Sequence, residues 1–300
     1  MSLKGNMRKL VCLGAGFALS LLAPLALAQP EGTPMPPGIR WGSEIKPEPG
    51  VEIRTYKFEP TGEMLPYAVY VSSKIKRGDK APLIIALRGF TGTTLTIVRG
   101  TAVDLAEAGG YILVGAIGYN NRAGFGVAAR PPRAPAAGAT PPPAPTADRP
   151  QPPLVGGSVE TDPAKVTAYS EQDVMNVLAL VRKEFNIDER RIYLVGHSQG
   201  GGGARHIAEK YPQLWAGVAL LAPALFDVEL TGKSNLLHTP VLLAVGDKDN
   251  LAEGTRNFAD KLAALKGLVD FKLYAGLDHG TIILGSMPEV FRFFGEHVKK

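Results

Sequence analysis

Cysteine is all but absent: the 300-residue sequence holds one, Cys12. That excludes an internal disulfide and a zinc site built on several thiolates, so stability has to come from a packed core. Surplus charge is scarce too. The net charge of +5 falls to +2 once Lys4, Arg8 and Lys9 are set aside, which argues against nucleic acid as a partner. The first apolar run, residues 10–22, is short for a membrane span, and Pro24 lies inside its end.

That run reads instead as part of a leader. Lys4, Arg8 and Lys9 form a positive start, and Ala26-Leu27-Ala28 supplies a small-x-small cleavage signal. Residues 1–28 are therefore expected to be a signal peptide, with the mature chain starting near Gln29, secreted or periplasmic and without a membrane anchor. A retained anchor is the competing reading. Val11 stands before Cys12 where a lipobox wants a small residue, which argues against lipidation. Residues 29–50, rich in Pro and Gly, predict an irregular arm, and 51–300 suffice for one large α/β domain.

The pattern along 51–300 changes midway. Residues 51–58 and 65–71 alternate apolar and polar, as a half-exposed antiparallel pair would. Residues 82–87, 111–117, 192–195, 218–221, 241–245 and 271–274 are short and almost wholly apolar, which suits parallel strands buried on both faces. Helices are expected over 96–108, 170–185, 199–211, 252–266 and 288–298. In the second, Ser170 is expected as the cap, Asp173 in the first turn, and Val174, Leu178, Val181 and Phe185 as the apolar stripe. The fold class is thus α/β, a mostly parallel sheet with helices on both faces. Residues 128–157, mainly Pro and Ala, predict a solvated insertion; a lid or polymer-contacting arm is the alternative.

Gly196-His197-Ser198-Gln199-Gly200 stands between a strand and a helix, the context of the G-x-S-x-G nucleophile elbow. Its glycines permit a sharp turn and put Ser198 at the C-terminal edge of the sheet, near a helix N-terminus. A serine hydroxyl is a weak nucleophile near neutral pH and needs a base, which needs an orienting carboxylate. In elbow hydrolases these follow in the order Ser, Asp or Glu, His. His279 follows the run 271–274 and so lies at the correct edge. His238 precedes a strand, His297 sits in the last helix, and His197 and His206 are expected to pack locally. Asp247 and Asp249 both follow 241–245; the usual spacing Gly-x-x-Asp selects Asp249 and leaves Asp247 as a turn residue. Asp278 reads as a loop charge or a support for the histidine. Oxyanion donors are expected from the backbone N–H of Gln199 and of Phe90, in the loop Arg88-Gly89-Phe90-Thr91-Gly92-Thr93.

With these residues the chain resembles the α/β-hydrolase superfamily. Glu171-Gln172-Asp173-Val174-Met175 together with the elbow and its run of four glycines is similar to secreted bacterial esterases of the polyhydroxybutyrate-depolymerase and feruloyl-esterase type. Gly89-Phe90-Thr91-Gly92-Thr93 is similar to the oxyanion loop of cutinases and polyester hydrolases. The resemblance covers roughly residues 50–298 and implies cofactor-free, metal-free hydrolysis of a small or polymeric ester through an acyl-enzyme. It also has departures: Gln199 stands where cutinase-type enzymes have Met, and Pro223-Ala224-Leu225 where they carry a Trp. A peptidase using the same three residues and a noncatalytic binding protein on the same fold remain the alternatives.

Overall fold

The computed structural model describes residues 46–128, 153–226 and 228–300. The expected signal peptide, nearly all of the arm and most of the 128–157 insertion lie outside them. Among the described residues, β1 (Val51–Phe58), β2 (Glu63–Val71), β3 (Ala81–Leu87), β4 (Ile112–Ala116), β5 (Ile187–His197), β6 (Gly217–Leu221), β7 (Val241–Gly246) and β8 (Val269–Tyr274) form one sheet. Its order is β1-β2-β4-β3-β5-β6-β7-β8. β2 is antiparallel to both neighbours, and every pairing from β4 through β8 is parallel. The helices are α1 (Thr101–Gly109), α2 (Pro163–Glu184), α3 (Gln199–Lys210), α4 (Ala252–Ala264), α5 (Ile282–Gly285) and α6 (Met287–Glu296).

The uninterrupted apolar runs have a simple cause. Successive side chains of a strand point to opposite faces, so a strand covered on both sides needs an apolar residue at every position. In β3, Leu83, Ile85 and Leu87 pack with Val174, Val177 and Leu178 of α2, Ile207 of α3 and Phe258 and Leu262 of α4. Ile84 and Ala86 point the other way, into a layer with Val103 and Ala106 of α1 and Val290, Phe291 and Phe294 of α6. Each large aliphatic side chain so buried contributes about 1.5–3 kcal/mol. Among the described residues no helix is long and apolar enough to cross a membrane.

Four expectations need correction. The first expected helix starts at Thr101 rather than 96, because Gly100 (φ 49°, ψ −134°) holds a conformation no helix includes. The second starts at Pro163: Asp162 caps it, accepting the N–H of Ala164, and proline occupies the first turn, where its missing N–H costs nothing. Ser170 is therefore no cap. Its hydroxyl donates to the Thr167 carbonyl and accepts from Gly126 N, inside the protein. Asp173 is likewise buried in the body of α2. Third, β5 begins at Ile187; its polar start, Asp188 to Arg191, precedes the buried half and hides the strand from an apolar-run reading.

The fourth concerns the end of the insertion. Residues 153–157 are not a free surface loop. Gly157 N donates to Tyr119 O, Asn121 N to Val155 O, and Asn121 Nδ2 to Pro153 O, while Asn120 Nδ2 reaches Gly157 O. These bonds fasten the segment to the loop that leaves β4, beside the C-terminal edge of the sheet.

Candidate active site

Ser198, Asp249, His279 and the loop carrying Phe90 each follow the C-terminal end of a parallel strand. β5 ends at His197, α3 begins at Gln199, and Ser198 makes the turn alone with φ 55° and ψ −116°. That conformation is strained for a side-chain-bearing residue and persists only where its surroundings hold it. Here three backbone hydrogen bonds do so: Ser198 N donates to Leu221 O, and Ser198 O accepts from Gly202 N and Ala224 N. The exit of β6 thus clamps the elbow from one side.

The four glycines of α3 clamp it from the other. A Cβ on Gly200 would overlap the carbonyls of Leu87 and Arg88; one on Gly201 would meet Pro223 at 2.8 Å; one on Gly203 would strike the Phe125 side chain. With no side chains in the way, the first turn of α3 sits directly on the ends of β3 and β6. This brings the helix N-terminus, with its partial positive charge, under the serine.

Ser198, His279 and Asp249 are brought together. His279 Nε2 lies 2.9 Å from Ser198 Oγ, and His279 Nδ1 lies 2.7 Å from Asp249 Oδ2. A carboxylate only accepts, so the imidazole proton sits on Nδ1 and Nε2 is left to accept from the serine hydroxyl. Asp249 Oδ1 accepts the N–H of Leu251 at 2.9 Å. The Asp249 side chain is wholly shielded from solvent, while that of His279 is 43% exposed, so the imidazole is reachable from outside. Asp247 points elsewhere: it is exposed and caps the turn after β8 by accepting Gly276 N. Asp278 accepts from the N–H and hydroxyl of Thr281, which together hold its carboxyl below the usual range.

The other histidines stay outside this chain. His238 ends a 3₁₀ turn before β7, at the opposite edge, and His297 caps the C-terminus of α6. His206 binds Glu171, which also holds Lys210 and Tyr211. His197 is buried, and its Nε2–H donates to the carbonyl of His279 at 2.7 Å. Burial, then the nearby His279, push its pKa down to about 3, so it stays neutral as it fixes the backbone under His279.

The loop after β3 lies against the elbow. A Cβ on Gly89 would sit 3.4 Å from Ser198 Cβ, and the next residue, Phe90, is 58% exposed. Gly92 N closes the turn on Gly89 O, and Thr91 (φ 59°) donates its N–H to Asn121 O. The sequence reading missed Arg88 behind this loop. Its side chain is buried and all five of its N–H donors are used: on the carbonyls of Ile117, Gly89, Asn120 and Ala123 and on Gln199 Oε1. Phe125 covers the guanidinium at 4.8 Å. Burial lowers the Arg88 pKa and raises that of nearby Asp173 to about 6. With five oxygen acceptors the guanidinium remains the charged form. One signal was available: a cation ending a wholly apolar strand has to find acceptors inside. Among the described residues no group of three or more His, Cys, Asp or Glu is arranged to hold a metal ion.

A family model described as serine aminopeptidase, S33, matches residues 164–231, from α2 to beyond β6. The match takes in the elbow and leaves out Asp249 and His279. No curated protein matches. Solved structures do. An S-formylglutathione hydrolase from Agrobacterium tumefaciens is 19% identical with a TM-score of 0.57, covering 83% of this chain and 95% of its own. A CE1 ferulic acid esterase from the anaerobic fungus Anaeromyces mucronatus is 15% identical with a TM-score of 0.56, covering 87% and 93%. A thermostable esterase is 17% identical with a TM-score of 0.54; the match covers 83% of this chain but 64% of that one, less than two thirds. At such identities the likeness is one of architecture. The protein has the α/β-hydrolase fold.

Proposed function

We propose that the protein is a secreted serine hydrolase that cleaves carboxylic esters through an acyl-enzyme, with Ser198 as nucleophile, His279 as base and Asp249 as its orienting carboxylate. The observation that carries this reading is the unbroken chain Ser198–His279–Asp249, at 2.9 and 2.7 Å, on a strained elbow. Ser198 Oγ attacks the ester carbonyl carbon while His279 Nε2 takes its proton. The carbonyl oxygen gathers charge facing the N–H groups of Phe90 and Gln199. Collapse expels the alcohol, which receives the proton from His279. Water, deprotonated by the same imidazole, then frees the acid and restores Ser198.

Ester rather than peptide cleavage is favoured by the neighbours, which include a ferulic acid esterase and an S-formylglutathione hydrolase. The peptidase reading draws on the aminopeptidase family match alone. Secretion rests on the leader pattern of residues 1–28. A fluorophosphonate probe tests the chemistry: it should label the parent and fail on Ser198→Ala. That variant should lose para-nitrophenyl ester turnover by about 10⁴-fold or more and keep its thermal midpoint. Ester turnover near the parent level in Ser198→Ala overturns the nucleophile. Faster cleavage of aminoacyl para-nitroanilides than of any ester favours the peptidase. Graded acyl chains, a feruloyl ester and a polyester film, tested side by side, rank the substrate classes.

A further inference from the structure

We infer that Arg88 is a positioning residue that ties the two halves of the oxyanion site together and strengthens one of its donors. This rests on the hydrolase reading above. The atoms that matter belong to one peptide group. The carbonyl of Gly89 and the N–H of Phe90 share a single plane, so whatever fixes the oxygen fixes the direction of the hydrogen. Arg88 Nη1 donates to that oxygen at 3.0 Å, and Gly92 N reaches it from the turn, also at 3.0 Å.

A charge-assisted bond to the carbonyl also draws electron density from the amide nitrogen. The Phe90 N–H then becomes the better donor toward developing negative charge. The same Nη1 donates to Gln199 Oε1 at 3.0 Å, and Gln199 Nε2 binds Arg122 O at 3.1 Å. Gln199 carries the second donor on its backbone. One nitrogen thus holds the Gly89–Phe90 peptide group and the Gln199 side chain, and the remaining guanidinium donors anchor it to the loop leaving β4. The methionine that cutinase-type chains place after the serine could not make this bridge.

Kinetics separate this role from simple support of the fold. Arg88→Lys keeps a buried cation but has three donors for five acceptors. Gln199→Met removes the side-chain bonds to Arg88 Nη1 and Arg122 O and leaves the backbone N–H in place. The expected result for Arg88→Lys is a kcat for para-nitrophenyl acetate lowered by about 30-fold, short of the full loss of an oxyanion donor, with KM within about threefold. The Ki of an aryl trifluoromethyl ketone, which forms a hemiketal oxyanion on the serine, should rise by the same factor as kcat/KM falls. Gln199→Met should show the same proportionality at about five-fold, and the pH midpoint of kcat/KM should stay at the parent value in both, since His279 and Asp249 are untouched. Parent-like kinetics in Gln199→Met and Arg88→Lys overturn the inference, as does a fall in kcat/KM with no rise in Ki. If Arg88→Lys does not fold, Gln199→Met alone decides by the same two criteria. Ester turnover near the parent level in Ser198→Ala overturns Ser198 as nucleophile, and with it the reading on which this inference rests; the Arg88 variants leave that assignment untouched.

Discussion

Replacing Asp249 by Asn exchanges one oxygen for an NH₂ and leaves shape nearly unchanged, yet it should cripple the enzyme. Two N–H donors face this carboxylate: Leu251 N at Oδ1 and His279 Nδ1 at Oδ2. An amide offers one oxygen. The backbone N–H of Leu251 cannot give up its proton, so the oxygen turns to it and the NH₂ faces His279. Nδ1 must then accept, the imidazole proton moves to Nε2, and Nε2–H points at Ser198 with no lone pair to take the serine proton. The buried negative charge that stabilises the imidazolium is lost as well. A fall of about 10⁴-fold in kcat follows, or about 5.4 kcal/mol at 1.36 kcal/mol per decade. Asp247→Asn keeps an oxygen for Gly276 N and loses only the charge of that exposed bond; it should cost at most about 1 kcal/mol of stability and change kcat by less than about threefold. Both are measured by para-nitrophenyl ester kinetics at fixed pH and by thermal unfolding. If Asp247→Asn is the inactive variant, the assignment and the tautomer argument are both wrong.

A glycine pair tests the packing of the elbow. Gly200→Ala drives a methyl into two main-chain carbonyls that have nowhere to move, costing about 3 kcal/mol, whereas Gly254→Ala in α4 meets open space and should gain about 0.5–1 kcal/mol. Equal thermal shifts in the two would refute that contrast. The pH dependence of stability follows from His197. Its folded pKa near 3 lies below the unfolded 6.5, so it protonates only on unfolding, and each pH unit below 6.5 removes about 1.4 kcal/mol until pH nears 3. Asp173, raised to about 6, acts with the opposite sign between pH 6 and 3.8 and is common to both chains when parent and His197→Gln are compared. Urea midpoints should therefore fall less steeply from pH 6 to 4 in His197→Gln; parallel slopes would mean that His197 protonates in the folded state.

What could be read in the residues, and what could not, divides along a physical line. The sheet was legible because burial on both faces writes β3, β4, β6, β7 and the second half of β5 as apolar runs, and β7 differs from its expected span by one residue, Gly246; the edge strand β8, with Asp270 and Lys272, is only half-buried. That Ser198, Asp249 and His279 come together could be read because each follows the C-terminal end of a parallel strand, where the loops converge. Helix starts were legible only where the cap is local. Asp162-Pro163 is such a signal, five residues past the Pro-rich segment, but it precedes any apolar stripe, while Ser170, eight residues on and next to that stripe, offers a false one.

Buried polar side chains leave no periodic trace. Arg88 and Asp173 are both enclosed, and each has partners distant in sequence: Asn120 and Ala123 for the first, Tyr56 and Gly118 for the second. Pattern alone reports that a charge interrupts an apolar stretch. It cannot say whether the charge turns to solvent or is met inside, because that depends on which loop the fold lays across it. In this protein the loop leaving β4 does so, and it presents main-chain carbonyls rather than a carboxylate. A carbonyl is present at every residue whatever its side chain, so no residue choice in that loop encodes the partnership. The cation can be anticipated from Leu87-Arg88-Gly89; its acceptors become visible only once β4, its loop and the elbow have been brought to one edge of the sheet.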